Sequence, residues 1–291
     1  MIRVCLSGLG RTGREIAKVL LEQDNMKVVA AICGPDSSKK GMDLGEFLGI
    51  GANGIGIESS DILEEVIFRS KPDVVVDFST PQACIRNARI FSRMHVAMVI
   101  GTTGFTKLSL KRLEVLSNKY RNGIVYAPNI TLGVNVLMMI TNLAANILNN
   151  YDFQVNEIHH KLKKDSPSGT AIKIAAEIKK GLAASGEGEL DRQIPIASVR
   201  AGGVTGKHEV MIIGDDDQIF ISHESFSRKA FALGAIRAVN FITDKSGFYE
   251  MSDVLNLKKV LSDYIKSSGS MPKKRQNRQA VERSGKGVQW A

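Results

Sequence analysis

The sequence predicts an α/β protein with two sheets, the first parallel and doubly wound and the second mixed and largely antiparallel. Three observations lead to this prediction. In the first half, short β-rich runs alternate with helical patterns, which is typical of a parallel sheet. After Asn129 this alternation ends, and two strand patterns flank a tight turn at Asp215-Asp216-Asp217. The 291 residues and 43% hydrophobic content are enough for two domains with cores.

The first half contains five strand patterns. They are Arg3–Leu6, Lys27–Ile32, Val74–Val76, Val96–Ile100 and Ile124–Ala127. The run Val74–Val76 is apolar enough to be buried on both faces, as parallel strands are. A helix is predicted over Arg14–Gln23, where Ile16, Val19 and Leu20 recur at helical spacing.

The second half begins with a long helical pattern and then becomes richer in strands. Helices are predicted over Gly133–Leu148, Thr170–Ala184 and Ser227–Ile242. Strands are predicted at Phe153–His160, around Val199, and at Glu209–Ile213 and Gln218–His223, with a polar loop over Gly181–Leu190. Beyond Ser267 the composition is polar and basic without periodicity, which predicts a disordered tail.

The net charge of +9 is concentrated at the end of the chain. Residues 258–291 hold nine Lys or Arg and two acids, so the first 257 residues carry only about +2. Nucleic acid is therefore not an expected partner, although Lys273-Lys274-Arg275 could contact acidic surfaces. No apolar run reaches membrane-spanning length, and no secretory leader is recognised. The three dispersed cysteines predict reduced thiols and a cytoplasmic protein.

A glycine-rich turn follows the first strand. Gly8-Leu9-Gly10-Arg11-Thr12-Gly13 fits G-x-G-x-x-G between a strand and a helix. Glycines there permit a tight turn, let the backbone approach a pyrophosphate, and bring the helix N-terminus to the phosphates. The pattern indicates a dinucleotide, although an ordinary strand–helix turn would use the same glycines.

The second strand lacks the acidic residue that would bind the ribose hydroxyls of a dinucleotide. It ends in Cys33-Gly34-Pro35, and the first carboxylate after it is Asp36. Ser37, Ser38, Lys39 and Lys40 follow, and could meet a 2′-phosphate. This favours NADPH slightly over NADH, with a solvated polar loop as the alternative.

The longest candidate site is the run from Glu157 to Ala171. Two histidines, His159 and His160, end a strand, lysines follow, and Ser168-Gly169-Thr170 opens a helix. Free N–H groups at that helix start and nearby cations suit a small dicarboxylate, with histidine supplying a proton. No third ligand occurs at metal-binding spacing, so no metal is expected. A basic surface loop with a helix cap is the alternative.

This run, Glu-x-His-His-x-x-Lys-x-Asp-x-Pro-Ser-Gly-Thr-Ala, resembles the signature of the 4-hydroxy-tetrahydrodipicolinate reductase (dihydrodipicolinate reductase) family at every fixed position. The resemblance continues through Asp77-Phe78-Ser79, Gly101-Thr102-Thr103-Gly104 and Ala127-Pro128-Asn129, and spans about residues 1–265.

The resemblance implies a Rossmann domain at 1–130 with 240–266, a substrate and oligomerisation domain at 131–239, a basic tail at 267–291, and a homotetramer. It implies that His159 is the general acid and Lys163 the second catalytic cation. It implies substrate binding by His160, Ser168, Gly169 and Thr170. The implied cofactor contacts are Gly8, Gly10, Arg11, Thr12, Gly13, Cys33, Gly34, Phe78, Gly101, Thr102, Thr103, Ala127, Pro128, Asn129 and Ile130.

The implied reaction is NAD(P)H-dependent reduction of a cyclic dicarboxylate in the diaminopimelate route to lysine. Two departures concern the cofactor: the glycine turn is one residue shorter than the family pattern, with Thr12 where Met is usual, and Cys33 replaces an acid. Two alternatives remain: a paralogue that reduces another cyclic imine carboxylate, and an inactive binding protein that uses its basic tail.

Overall fold

The computed structural model describes residues 1–186 and 192–269. It forms two compact units, Met1–Leu255 and a second that begins at Asn256. Among the described residues, no helix has the length and apolar character needed to cross a membrane.

Eleven strands and ten α-helices make up the described chain. The strands are β1 Ile2–Ser7, β2 Met26–Cys33, β3 Ile57–Ser59, β4 Val74–Asp77, β5 Ala97–Ile100, β6 Gly123–Tyr126, β7 Asp152–His159, β8 Ile196–Arg200, β9 Lys207–Ile213, β10 Gln218–Glu224 and β11 Gly247–Glu250. The helices are α1 Arg11–Leu21, α2 Leu44–Leu48, α3 Leu63–Ser70, α4 Pro81–Arg93, α5 Lys107–Tyr120, α6 Leu132–Ile147, α7 Gly169–Ala184, α8 Lys229–Ile242, α9 Met251–Val254 and α10 Leu257–Gly269.

The first sheet has seven parallel strands in the order β11-β6-β5-β4-β1-β2-β3. Both faces are covered, since α1 and α8 pack on one side and α3, α4 and α5 on the other. Burial on both sides explains why β4 and β5 are buried at every position. The predicted doubly wound parallel sheet is confirmed.

The second sheet has four strands in the order β10-β9-β7-β8. β7 pairs antiparallel with β9 and β9 with β10, whereas β7 and β8 are parallel. One face packs on α6 and α7, and alternate residues of β7 are therefore buried. The predicted mixed, largely antiparallel sheet is confirmed.

Three local predictions differ from the structure. α1 begins at Arg11 rather than Arg14, because the helix starts directly after its N-cap Gly10. β3 and β11 extend the first sheet at its two edges and were not predicted. α10 reaches Gly269, two residues past the predicted start of the tail, whereas residues 270–291 lie outside the described part. The predicted domain boundaries stay predictions.

Candidate active site

The predicted cofactor residues lie at the carboxyl ends of β1, β2, β4, β5 and β6, which share one edge of the parallel sheet. In open α/β sheets ligands bind along this edge. Thr103 is exposed there and Pro128 is half-buried. Ala127 and Ile130 are buried in the apolar core, where the carbonyl of Ile130 lies against Gly234 of α8. Their side chains therefore contribute packing.

The glycine turn brings the chain close to itself. Gly8 has φ +88°, and a Cβ there would lie 2.5 Å from the Phe78 backbone. A Cβ on Gly13 would lie 2.0 Å from the carbonyl oxygen of Gly8. At Gly10, by contrast, a Cβ would meet no described atom within 4 Å. The helix start has no side-chain cap within the described chain, so its N–H groups fit a diphosphate.

A buried carboxylate, Asp77 at the end of β4, joins three of these loops. Its Oδ2 accepts a hydrogen bond from Ser7 Oγ at 2.7 Å, and its Oδ1 accepts from Thr102 Oγ1 at 2.6 Å and Ser79 Oγ at 2.8 Å. The ring of Phe78 occupies the space that a Cβ on Gly101 would need. Asp77 thus fixes the loops after β1, β4 and β5 relative to one another.

Replacing Gly13 with alanine is expected to weaken NADPH binding about tenfold or more, because overpacking a tight contact costs about 1–3 kcal/mol. The new methyl group would press on the Gly8 carbonyl and push α1 away from the glycine turn. Fluorescence titration with NADPH measures the effect. Gly56→Ala is the control, since its Cβ would meet only an ordinary contact at 3.5 Å from the Glu58 carboxylate. An unchanged NADPH affinity in Gly13→Ala would contradict this description of the turn.

Two cations lie over one aromatic ring, that of Phe47 in α2. The Arg14 guanidinium carbon is 5.0 Å from the centroid of the Phe47 ring, and Lys39 Nζ is 5.7 Å from it. Arg14 Nε is buried and has no hydrogen-bond partner in the described structure. At the end of β2, Cys33 is buried in the core, and the next residue, Gly34, is exposed. Two positive charges therefore share the Phe47 ring, and Arg14 was not anticipated from the sequence.

The second part of the site is built on β7, which ends at His159. His159 is buried, and its Nδ1 lies 2.7 Å from Oε2 of Glu157. His160 is the first residue after β7. Because it lies outside the strand, the alternation of side chains between the two sheet faces does not direct it away from the face of His159. Burial lowers the pKa of His160, and the positive charges of Arg11 and Arg228 lower it further.

Helix α7 begins beside these histidines. Ser168 is its N-cap and accepts from the N–H of Ala171, and a Cβ on Gly169 would meet no described atom within 4 Å. Lys163 Nζ contacts both carboxylate oxygens of Asp165, at 2.7 and 2.9 Å. The predicted lysine and helix start therefore lie in one loop, where they can receive a carboxylate.

One hydrogen bond joins the two halves of the predicted site. Thr170 Oγ1 donates to Asn129 Oδ1 at 2.5 Å, and Asn129 belongs to the loop after β6. Asn135 Nδ2 in turn donates to the Asn129 carbonyl at 2.8 Å. The start of α7 therefore lies against the edge of the parallel sheet where the cofactor residues gather.

The sheet also brings together three residues to which the sequence analysis assigned no role. Glu157, Arg200 and His208 come from β7, β8 and β9, and the register pairs His208 with Glu157 and Arg200 with His159. Burial and the neighbouring His159 lower the pKa of His208 to about 3, so it is neutral at physiological pH. Local spacing gave no signal for these pairings, because they join strands distant in sequence.

Glu157, His159 and His208 place one ligand atom each within 4.8 Å of one another, as a metal site would. The prediction of no metal relied on sequence spacing, which did not reveal this cluster. However, Arg200 Nη2 donates to Glu157 Oε1 at 2.8 Å. A guanidinium at this distance repels a cation, and the absence of a metal stays a prediction.

The chain matches two family models that together span most of it. Residues 2–130 match the N-terminus of dihydrodipicolinate reductase, and residues 133–255 match its C-terminus. A 4-hydroxy-tetrahydrodipicolinate reductase of Methanococcus aeolicus is 40% identical over 88% of this chain and 99% of that relative. One from Methanocaldococcus jannaschii is 38% identical over 89% of this chain and 99% of that relative.

A solved structure leads to the same family. The dipicolinate-bound dihydrodipicolinate reductase of Paenisporosarcina sp. TG-14 has a TM-score of 0.70 and 28% identity, covering 86% of this chain and 97% of that one. An amine dehydrogenase of Mycobacterium smegmatis, 13% identical with a TM-score of 0.58, shares the fold alone. On the matching models, relatives and structure, this chain belongs to the dihydrodipicolinate reductase family.

Proposed function

We propose that the protein reduces 4-hydroxy-tetrahydrodipicolinate to tetrahydrodipicolinate with NAD(P)H, in the diaminopimelate route to lysine. The observation that carries the proposal is the junction at Asn129 and Thr170, where the start of α7, with His159 and Lys163 nearby, lies against the cofactor edge. The curated relatives named above carry this activity in their names, which supports the same reaction here. It also favours this substrate over another cyclic imine carboxylate.

The substrate is a dianion, and the proposed binding groups supply hydrogen-bond donors and one positive charge. The N–H groups of Gly169 and Thr170 at the start of α7 receive one carboxylate, with Ser168 holding the helix cap. Lys163 adds a positive charge, and His160 adds a hydrogen bond. Nicotinamide, when bound, supplies a hydride to a ring carbon of the dehydrated imine.

His159 supplies the proton that completes the reduction. Its Nδ1 faces Glu157, which leaves Nε2 as the donor to the carbon next to the reduced one. Water lost on dehydration leaves before this step. The protonated His159 ring and the Lys163 ammonium also polarise the conjugated imine of the substrate, so that negative charge arriving on the ring is stabilised.

We propose NADPH as the preferred cofactor. Cys33 stands where an acid would bind the ribose hydroxyls, and Arg14 and Lys39 both lie over the Phe47 ring. Arg14 Nε is buried without a partner within the described residues, and a 2′-phosphate would supply one. Ser37 and Ser38 in the same loop could add hydroxyl donors.

Replacing Arg14 with methionine is expected to lower kcat/KM for NADPH about tenfold and to leave that for NADH nearly unchanged, because a charge-assisted hydrogen bond contributes about 1.5–3 kcal/mol. Lys39→Met acts in the same direction. Steady-state kinetics with each cofactor measures the ratio. Lys27→Met, at the opposite end of β2, is the matched control for the loss of one positive charge. Equal losses for both cofactors would refute the 2′-phosphate contact.

The function is tested by a coupled assay in which pyruvate, aspartate semialdehyde and a synthase generate the substrate, and loss of NADPH or NADH absorbance is followed. Rapid turnover that depends on the synthase supports the proposal. No turnover with either cofactor, in protein shown to be folded by circular dichroism, would exclude it. A screen of other cyclic imine carboxylates would then test the paralogue.

We also propose a homotetramer assembled through the second sheet. The face of this sheet away from α6 and α7 exposes Val199, Ile213 and Phe220. Exposed apolar sheet residues of this kind are typical of subunit contacts. Light scattering measures the mass, and Phe220→Glu is expected to yield smaller species.

The free, buried Cys5, Cys33 and Cys84 fit a reducing cytoplasm, which we propose as the location.

A further inference from the structure

A fully buried carboxylate lies directly behind the proposed proton donor. Oε1 of Glu157 accepts three hydrogen bonds, from Ser168 N at 2.9 Å, Ser198 Oγ at 2.7 Å and Arg200 Nη2 at 2.8 Å. Oε2 lies 2.7 Å from Nδ1 of His159, although this contact lacks hydrogen-bond alignment. Oε1 is therefore held by three hydrogen bonds, whereas Oε2 faces His159.

The His159 ring is confined on its remaining sides. The His208 ring meets it edge to face, with centroids 5.1 Å apart and planes at 74°. Gly206 approaches Nε2 so closely that a Cβ there would lie 3.0 Å away. Nδ1 is thus directed to Glu157, and the missing side chain at Gly206 leaves Nε2 as the nitrogen for proton transfer.

The hydrogen bonds to Glu157 keep its carboxylate ionised. Burial alone would raise the pKa of Glu157, but hydrogen bonds from Arg200, Ser168 and Ser198 lower it to about 2. Burial lowers the pKa of His159, the charge of Glu157 raises it, and the charges of Lys163 and Arg200 lower it again. His208, the remaining titratable group against the ring, is neutral. Glu157 is therefore the one anion in the described structure that contacts His159 and favours its protonation.

We propose that Glu157 is a positioning residue for the reaction, whose Oε2 sets the tautomer and orientation of His159 and whose charge favours the protonated ring. The same carboxylate accepts from Ser168 N, so it also holds the start of α7 at a constant distance from the donor. Carboxylates that orient a histidine through Nδ1 are a general device for controlling which ring nitrogen transfers the proton. This inference rests on the proposed role of His159.

Two substitutions are expected to move the pH profile in opposite directions. A general acid must be protonated, so kcat/KM falls as pH rises through the pKa of the donor. Glu157→Gln removes the favourable charge, and the alkaline limb shifts to lower pH by about one unit, with a loss in kcat. Arg200→Gln removes an opposing charge and leaves Glu157 less neutralised, so the limb shifts to higher pH. General damage to the fold would not produce shifts of opposite sign.

Ser198→Ala is the matched control. It removes a neutral hydrogen bond from Oε1 and leaves the charge and Oε2 in place, so the pH limb is expected to stay where it is. Glu157→Asp retains the charge but shortens the side chain, and is expected to restore part of the shift. If Glu157→Gln fails to fold, Arg200→Gln and Glu157→Asp still decide in which direction the alkaline limb shifts.

Nuclear magnetic resonance of the histidine rings gives a readout without turnover. The chain has five histidines, so His159 can be assigned by comparison with His159→Gln. In the wild type, neutral His159 is expected to carry its proton on Nδ1, and in Glu157→Gln its titration is expected to move to lower pH. An unchanged tautomer and titration would overturn the inference even if the enzyme is active. Absence of wild-type turnover would instead refute the proposed function and leave this titration result intact.

Discussion

Replacing His159 with glutamine is expected to lower kcat about a hundredfold or more, while NADPH affinity changes little. A general acid contributes about 10²–10⁴-fold to rate, and glutamine fills a similar space but transfers no proton at neutral pH. His159 lies at the end of β7, whereas the glycine turn that receives the cofactor lies after β1. Steady-state turnover and fluorescence titration with NADPH measure the two effects separately.

His95→Asn is the control for loss of an imidazole. His95 is exposed with φ +56°, a conformation that asparagine tolerates, so this variant should keep both turnover and cofactor affinity. Proportional losses of turnover and NADPH affinity in His159→Gln would argue against a proton donor and for a distorted fold.

The role of His159 predicts that the pH profile of kcat differs from that of kcat/KM. Burial lowers the pKa of His159 in the free enzyme. A bound dianion favours the protonated ring, so the alkaline limb of kcat is expected at higher pH than that of kcat/KM. Coinciding limbs in both profiles would contradict this assignment.

Replacing Lys163 with alanine is expected to lower kcat/KM about a hundredfold, through both a higher KM and a lower kcat. Its ammonium contacts the Asp165 carboxylate, and a dicarboxylate substrate would compete for it. Loss of a charge-assisted contact of this kind costs about 1.5–3 kcal/mol, and the charge also assists hydride arrival. The measurement is the coupled assay over a range of substrate concentrations.

Lys164→Ala removes a lysine from the adjacent position, where the side chain is exposed. It is expected to behave like the wild type, which separates a specific role of Lys163 from the general basicity of this loop. Near-normal turnover in Lys163→Ala would remove this residue from the proposed chemistry.

Much of the fold could be predicted from local patterns. The buried strands of the first sheet are short apolar runs, and α7 follows a serine cap, so periodicity and capping reveal both. The start of α1 was placed three residues late because its cap, Gly10, has no side chain to mark it. β3 has only three residues, and β11, Gly-Phe-Tyr-Glu, has no fully buried position and lacks the apolar run that marks β4 and β5.

The candidate site divides in the same way. The run from Glu157 to Thr170 is contiguous, so the sequence by itself determined the family, the predicted donor and the predicted carboxylate site. Only the tertiary structure decided that Arg200 and His208 flank β7, and that Arg14 and Lys39 both lie over the Phe47 ring. The physical reason is that strand register and helix packing join residues far apart in the chain. Such pairings depend on the whole folded core, and no local spacing encodes them.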